Sequence, residues 1–213
     1  MASNLEYLRE LQATYTKIAE RYLSVRDQML LIPELESFLD SVNGPCVLDA
    51  GCGPGRDTRF FLGKGLKVTG IDLTKRFILL AKQRVSGADF RVMNILDLKF
   101  KDEIFHGIWC CAVLSHLRKA DLQKALSEFH RVLKDGGILF VSVKAGTGEK
   151  IVREPLFDYH PRFTSFFQED EISQHLQRAK FKVYKIYIFN ERKRFGQEYR
   201  DLDYIVVFSI KLK

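Results

Sequence analysis

From residue 46 onward, short β-branched and apolar runs alternate with stretches of helical periodicity, and the last two apolar runs have no helix between them. A parallel sheet requires this kind of alternation, because each parallel pairing needs a crossover and both faces need an apolar cover. The strand runs are 46–50, 67–71, 90–93, 107–111, 138–143, 181–189 and 204–210, and the helical stretches between them are 57–64, 75–85, 120–133 and 169–179. In the third helix Leu122, Leu126, Phe129, Val132 and Leu133 recur at three- and four-residue steps, and the KDGG that follows predicts its stop. Only the polar stretch NERKRFGQEYRD separates the final two runs, so they are expected to pair antiparallel.

Ahead of residue 46 the pattern is helical throughout. Leu5, Leu8, Leu11, Tyr15, Ile18, Ala19 and Tyr22 make one apolar stripe, and 33–42 reads as a second, shorter helix. The expected organisation is a helical cap over 1–44 on a domain over 45–213, together one structural unit, which suits 213 residues of which 46% are hydrophobic. The segment 144–164 has no clear period and is expected to be a long loop of the kind that forms lids, with His160 and Arg162, beside Tyr159 and Phe163, able to meet a ligand.

Several function classes are disfavoured by composition. The start, MASNLEYLRE, has charges and no apolar core, and no run approaches ~18 apolar residues, so a cytoplasmic location without membrane spans is expected. Cys46, Cys52, Cys110 and Cys111 form no C-x-x-C pair and the five histidines are scattered, so no metal site is expected. The net charge of +7 would attract anions, but basic residues are interleaved with acids, and only the RKR at 192–194 is tight. Nucleic acid is therefore a disfavoured partner.

The stretch VLDAGCGPGRDTRFF, 47–61, places Gly51, Gly53 and Gly55 at a strand-to-helix turn, with Cys52 among them. Glycines there let a backbone approach a ligand beside free N–H groups. A dinucleotide fingerprint would want its third glycine where Arg56 stands, and no phosphate-loop ending in Gly-Lys-Ser/Thr occurs. Asp49, two residues before the first glycine, reads as aimed into the crevice. A carboxylate there repels a pyrophosphate and favours a ligand bearing an ammonium and a sulfonium, such as S-adenosylmethionine (SAM).

VLDAGCGPG resembles motif I of the class I SAM-dependent methyltransferases, and the likeness continues in order through VTGIDLT, FRVMNILDLKF, GIWCCAVLSHL and FHRVLKDGGILFVSV, over about residues 45 to 212. It is nearest to the small-molecule branch that includes tellurite-resistance-type enzymes. The resemblance implies an α/β, Rossmann-like fold: a seven-stranded, mostly parallel sheet with helices on both faces and a C-terminal antiparallel hairpin. It also implies that Asp72 accepts the ribose hydroxyls, a role for which a helix cap is the alternative, although Thr74 is better placed to cap. Asn94 and the backbone of Ile95 would meet the adenine, and Ile71 or Leu73 would pack on it. Tyr15 and Tyr22 resemble the tyrosines that such enzymes bring to the methionine end, where Arg56 could reach the carboxylate. Three positions depart from the pattern: His106 in place of Asp, Asp135 in place of Pro, and Lys180 in place of a Gly helix stop.

Methyl transfer from a sulfonium needs alignment first and a base only when the acceptor holds its proton tightly. His116, after the fourth strand, is the candidate catalytic base, since an imidazole can accept a proton near neutral pH. No Asn/Asp-Pro-Pro-aromatic motif follows that strand and no recognition insertion is present, so the expected acceptor is a small molecule. An RNA methyltransferase using the basic surface, or a SAM-binding module without catalysis, are the alternatives. The oligomeric state is not legible, as no sustained heptad occurs.

Overall fold

The computed structural model describes residues 6–213, so Leu5 of the expected stripe lies outside the described residues. Seven strands form one sheet in the order β3-β2-β1-β4-β5-β9-β8. These are β1 (Cys46–Ala50), β2 (Lys67–Asp72), β3 (Asp89–Val92), β4 (Phe105–Cys111), β5 (Leu133–Lys144), β8 (Phe181–Asn190) and β9 (Asp203–Lys211). The first five pair in parallel, and β9 runs antiparallel to both β5 and β8. The chain steps outward from β1 through β2 to β3 and then returns to β4 on the other side of β1. Between β1 and β4 the topology therefore reverses, and in open α/β sheets ligands bind at the carboxyl ends of the strands there.

Alternate residues of the central strands feed two cores. Leu48, Ile108, Leu139 and Val141 pack towards α6 (Lys119–Val132) and α7 (Glu169–Arg178), while Val47, Trp109 and Phe140 pack towards α3 (Ile32–Ser41) and α4 (Arg56–Gly63). In the second core the Trp109 ring stacks on Phe140 at 3.7 Å and meets the edges of Phe38 and Phe61. A smaller cluster joins α5 (Lys75–Arg84) to β3 through Ile78, Ala81, Val85 and Phe90.

Several local expectations are corrected. The N-terminal stripe is broken at Ile18 into α1 (Glu6–Lys17) and α2 (Ala19–Arg26), both on the first core. Because α3 lies on the opposite face, the helices ahead of residue 45 are shared between a roof and a supporting layer. The expected loop 144–164 contains an antiparallel ribbon, β6 (Glu149–Val152) with β7 (Arg162–Ser165), around a single turn at Pro155–Phe157. Four-residue strands of mixed polarity carry too little alternation to be seen in sequence. The KDGG after Leu133 is not a gap either, because β5 pairs from Leu133 opposite Phe105 and bulges before Ile138 opposite Gly107, with Gly136 at φ +71°. Within the polar stretch before β9 there is one short helix, α8 (Glu191–Phe195).

No helix of the described residues is long and apolar enough to cross a membrane, and among them no three His, Cys, Asp or Glu side chains are grouped to hold a metal ion.

Candidate active site

A cavity of about 160 Å³ opens at the carboxyl ends of β1, β2, β4 and β5, beneath α1 and α2. Of the residues expected at a ligand site, Tyr15, Tyr22, Gly51, Gly53, Arg56, Asp72, Leu73, Asn94, Ile95 and His116 line it. Cys52 lines an adjoining recess, whereas Asp49 and Gly55 line neither.

The three loop glycines are required for two different reasons. A Cβ on Gly51, at φ +84°, would stand 2.1 Å from a Val113 methyl, and one on Gly55, at φ +87°, would crowd Phe90, Val85 and Ala81 at 3.2–3.3 Å. Both positions serve packing. On Gly53, at φ +52°, a Cβ would meet only the Tyr22 ring, at 3.9 Å, so the space left by its missing side chain belongs to the cavity.

Asp72 ends β2 beside that space. The Gly53 N–H donates to its Oδ2 at 3.1 Å and the Thr74 N–H to its Oδ1 at 2.7 Å, so the carboxylate is fixed from both sides. Thr74 stands at the N-cap position of α5 but, contrary to the expectation, its side chain makes no cap hydrogen bond. Burial raises the Asp72 pKa to about 6, and the two N–H bonds oppose that rise. Gln12 donates to the Leu73 carbonyl at 2.8 Å and ties α1 to the same corner, while Asn94 Oδ1 accepts from the Leu96 N–H at 2.9 Å and turns the chain after β3.

The orientation expected for Asp49 is not observed. Its side chain is 2% exposed behind the loop and accepts from the Thr58 hydroxyl at 2.6 Å. Burial, and next the carboxylate of Asp57, push it up to about 8. Arg56 borders the cavity, but its guanidinium is clamped on Asp57 at 2.7 and 2.8 Å and donates to the Arg26 carbonyl at 3.2 Å. Asp57 also accepts from Trp109 Nε1 at 2.9 Å, which makes the clamp part of the second core.

His116, in the single turn Leu114–His116 after β4, is held at both ring nitrogens. Its Nδ1 lies 2.9 Å from the Phe163 carbonyl, which can only accept, so Nδ1 carries the hydrogen and Nε2 accepts from the Tyr15 hydroxyl at 2.8 Å. Burial, and next the charge of Lys144, pull its pKa down to about 3. The ring is a neutral strut between α1 and the β6–β7 ribbon. Of the residues named in the segment 144–164, Arg162 is 2% exposed and lines the cavity and Phe163 packs on Tyr7, whereas Tyr159 is exposed and neither it nor His160 lines the cavity.

Lys144, Arg200 and Arg26 also line the cavity, and nothing in their local sequence marked them as a group. One signal was present: a lysine closing the apolar run ILFVSVK cannot easily leave a buried sheet.

The chemistry of this wall fits SAM. Gly53 leaves a cradle that a Cβ would fill, Asp72 offers a held carboxylate to a diol, and Asn94 and Ile95 offer polar groups where a base would lie. Residues 48–141 match the family described as "Methyltransferase domain". Over 133 residues the chain is 30% identical to malonyl-[acyl-carrier protein] O-methyltransferase of Salmonella typhimurium, an alignment covering 62% of this chain and 52% of that protein. The chain spans about half the length of the curated relatives it matches. Among solved structures, 1,6-didemethyltoxoflavin-N1-methyltransferase of Burkholderia thailandensis superposes with a TM-score of 0.79 at 23% identity, covering 100% of this chain and 92% of that one. A SAM-dependent methyltransferase of Methanosarcina mazei superposes with a TM-score of 0.72, also at 23% identity, covering 84% of this chain and 97% of that one. A methyltransferase domain thus matches residues 48–141 of this chain, on the fold shared with SAM-dependent methyltransferases.

Proposed function

We propose that the chain transfers a methyl group from SAM to a small-molecule acceptor by in-line displacement, as in the tellurite-resistance-like branch that its motifs resemble. The observation that carries this reading is Asp72: both its oxygens accept backbone N–H bonds, beside the one loop glycine whose missing Cβ opens onto the cavity. Asp72 accepts the ribose hydroxyls, Asn94 and the Ile95 backbone meet the adenine, and Leu73 packs on its face. Tyr22 borders the methionine end, and Arg56 is already engaged by Asp57.

When bound, the cofactor supplies a methyl group already activated on a sulfonium. What the chain adds is alignment and the exclusion of water, which can supply most of the acceleration for such a displacement. The roof of α1, α2 and the β6–β7 ribbon serves that end, with His116 joining α1 to the ribbon through Tyr15 and Phe163. In this reading His116 is a positioning residue.

Calorimetric titration with SAM, S-adenosylhomocysteine and NADH, at low and moderate salt, tests the reading. Micromolar binding of the first two and none of NADH supports it. Absence of binding by either sulfur ligand overturns it. Steep loss of RNA binding with added salt would favour a nucleic-acid acceptor instead.

A further inference from the structure

The cavity wall opposite Asp72 and Asn94 is built from cations. Arg26, Lys144, Arg162 and Arg200 line it, and two carboxylates, Glu191 and Glu154, lie among them. Arg200 reaches Glu191 at 2.5 Å and Glu154 at 3.0 Å, Arg26 reaches Glu191 at 3.1 Å, and Arg162 pairs with Glu154. Both carboxylates are therefore occupied by arginines. Lys144, 3% exposed, is left with the Thr164 hydroxyl at 3.4 Å, and the buried Arg162 Nε has no hydrogen-bond partner. Four cations against two carboxylates leave an excess of two positive charges when Lys144 is protonated. Burial, and then Arg200 and Arg162, hold the Lys144 pKa well below its usual value, so the amine sheds its proton readily unless an anion beside it holds the charge.

Building on the methyltransferase reading, we propose that this wall anchors the methyl acceptor, and that the acceptor is a small anion whose carboxylate or phosphate sits against Lys144 and Arg162. Such a group supplies the counter-charge that Lys144 lacks and an acceptor for the unpartnered Arg162 N–H, and charge-assisted bonds to ionised oxygens are the strong ones. The anchor is held in place beforehand. The Phe157 ring lies under the guanidiniums of Arg162 at 4.1 Å and Arg26 at 5.4 Å, and stacks on Tyr22 at 5.8 Å. Position separates the two ligands, because Lys144 closes β5 on one side of the β1/β4 reversal and Asp72 closes β2 on the other. An anion seated at Lys144 lies across the cavity from the cofactor wall.

The test is calorimetry on the full chain, first with S-adenosylhomocysteine and then, on the loaded protein, with succinate, inorganic phosphate and the neutral isostere succinamide. The expected result is binding of at least one anion and none of succinamide, with anion affinity falling about tenfold or more in Lys144→Met. Affinity for S-adenosylhomocysteine should be unchanged in that variant. Which anion binds decides between carboxylate and phosphate. If the protein binds S-adenosylhomocysteine but treats all three probes alike, or if anion binding survives Lys144→Met intact, the anchor is overturned while the cofactor reading stands. If anions bind in a Lys144-dependent way and S-adenosylhomocysteine does not bind, the anchor stands and the cofactor reading falls. Should Lys144→Met not fold, the contrast of succinate and phosphate with succinamide on the unaltered chain still decides the question.

Discussion

Asp72 is held by two backbone N–H groups at the one place where the glycine loop opens to the cavity, so its removal should be felt by the cofactor before the fold. Asp72→Ala is expected to weaken SAM binding by about 1.5–3 kcal/mol for each charge-assisted bond lost, with the circular dichroism spectrum kept. Unchanged affinity in calorimetry would remove Asp72 from the site. His116 gives a test that needs no acceptor. A histidine whose folded pKa lies at about 3, below its unfolded 6.5, is neutral when folded, and the stability it contributes is lost as pH falls through that window. Its ring signals in NMR should stay in the neutral form from pH 8 to pH 5, and a mid-range titration at pH 6 to 7 would restore it as a candidate base. The residues legible in sequence, such as Gly53, Asp72, Asn94 and His116, sit at or shortly after the ends of strands, where chain order alone delivers them to the crevice. Asp49 was misread for a reason also present in the sequence. Strand alternation puts it on the face of Val47, towards α4 and Thr58, with Leu48 and Ala50 on the other. Lys144, Arg162 and Arg200 come from three separated segments that only the folded chain unites, so no local pattern announced their grouping.

At the scale of elements, each of the three departures from the family pattern meets a local structural answer. Asp135 sits 3.2 Å from Lys211 Nζ, tying the bulge of β5 to β9, and the His106 ring covers Gly44 and accepts from the Cys46 N–H at 3.3 Å. Lys180 is the one that strains the backbone. It follows the end of α7 at φ +62°, in the left-handed region that glycine tolerates best. Lys180→Gly is therefore expected to stabilise the protein by about 1 kcal/mol, read as a higher urea midpoint at unchanged slope. A lower midpoint would mean that the lost side chain or the added unfolded-state entropy outweighs the relieved strain. The order of the long elements was readable because each has a strong period and a crossover to match. Their ends, and the β6–β7 ribbon, were not. KDGG has the chemistry of a stop but continues as a bulge because β5 must already pair with Phe105, a constraint from a strand some thirty residues away.

Over the whole molecule, part of the charge is internal: Arg26, Lys144, Arg162 and Arg200 line the cavity, while Asp49 and Asp57 are buried behind the glycine loop with Asp72 beside it. Two members of the RKR cluster pair with acids, Arg194 with the buried Glu34 at 2.6 Å and Arg192 with the exposed Asp201 at 3.5 Å. Gathering acids under the glycine loop has a consequence for stability. Asp49 titrates at about 8 when folded and near 3.8 when unfolded, so between those values the folded chain holds a proton that the unfolded chain has released. Stability contributed at this site is therefore greatest at low pH and declines as pH rises through the window. Asp72 acts in the same sense up to about 6, and His116 in the opposite sense below 6.5. Asp49→Asn isolates the first effect, because the amide oxygen can still accept from the Thr58 hydroxyl while the titration is abolished and the other two groups remain in both proteins. Urea unfolding at pH 5, 6, 7 and 8 should show the variant gaining on the parent by at least about 1 kcal/mol across the series, since each unit of differential pKa corresponds to roughly 1.4 kcal/mol. A stability difference that stays constant over that range would place an ionised Asp49 comfortably inside the loop, and with it an electrostatic balance at the cofactor corner unlike the one described.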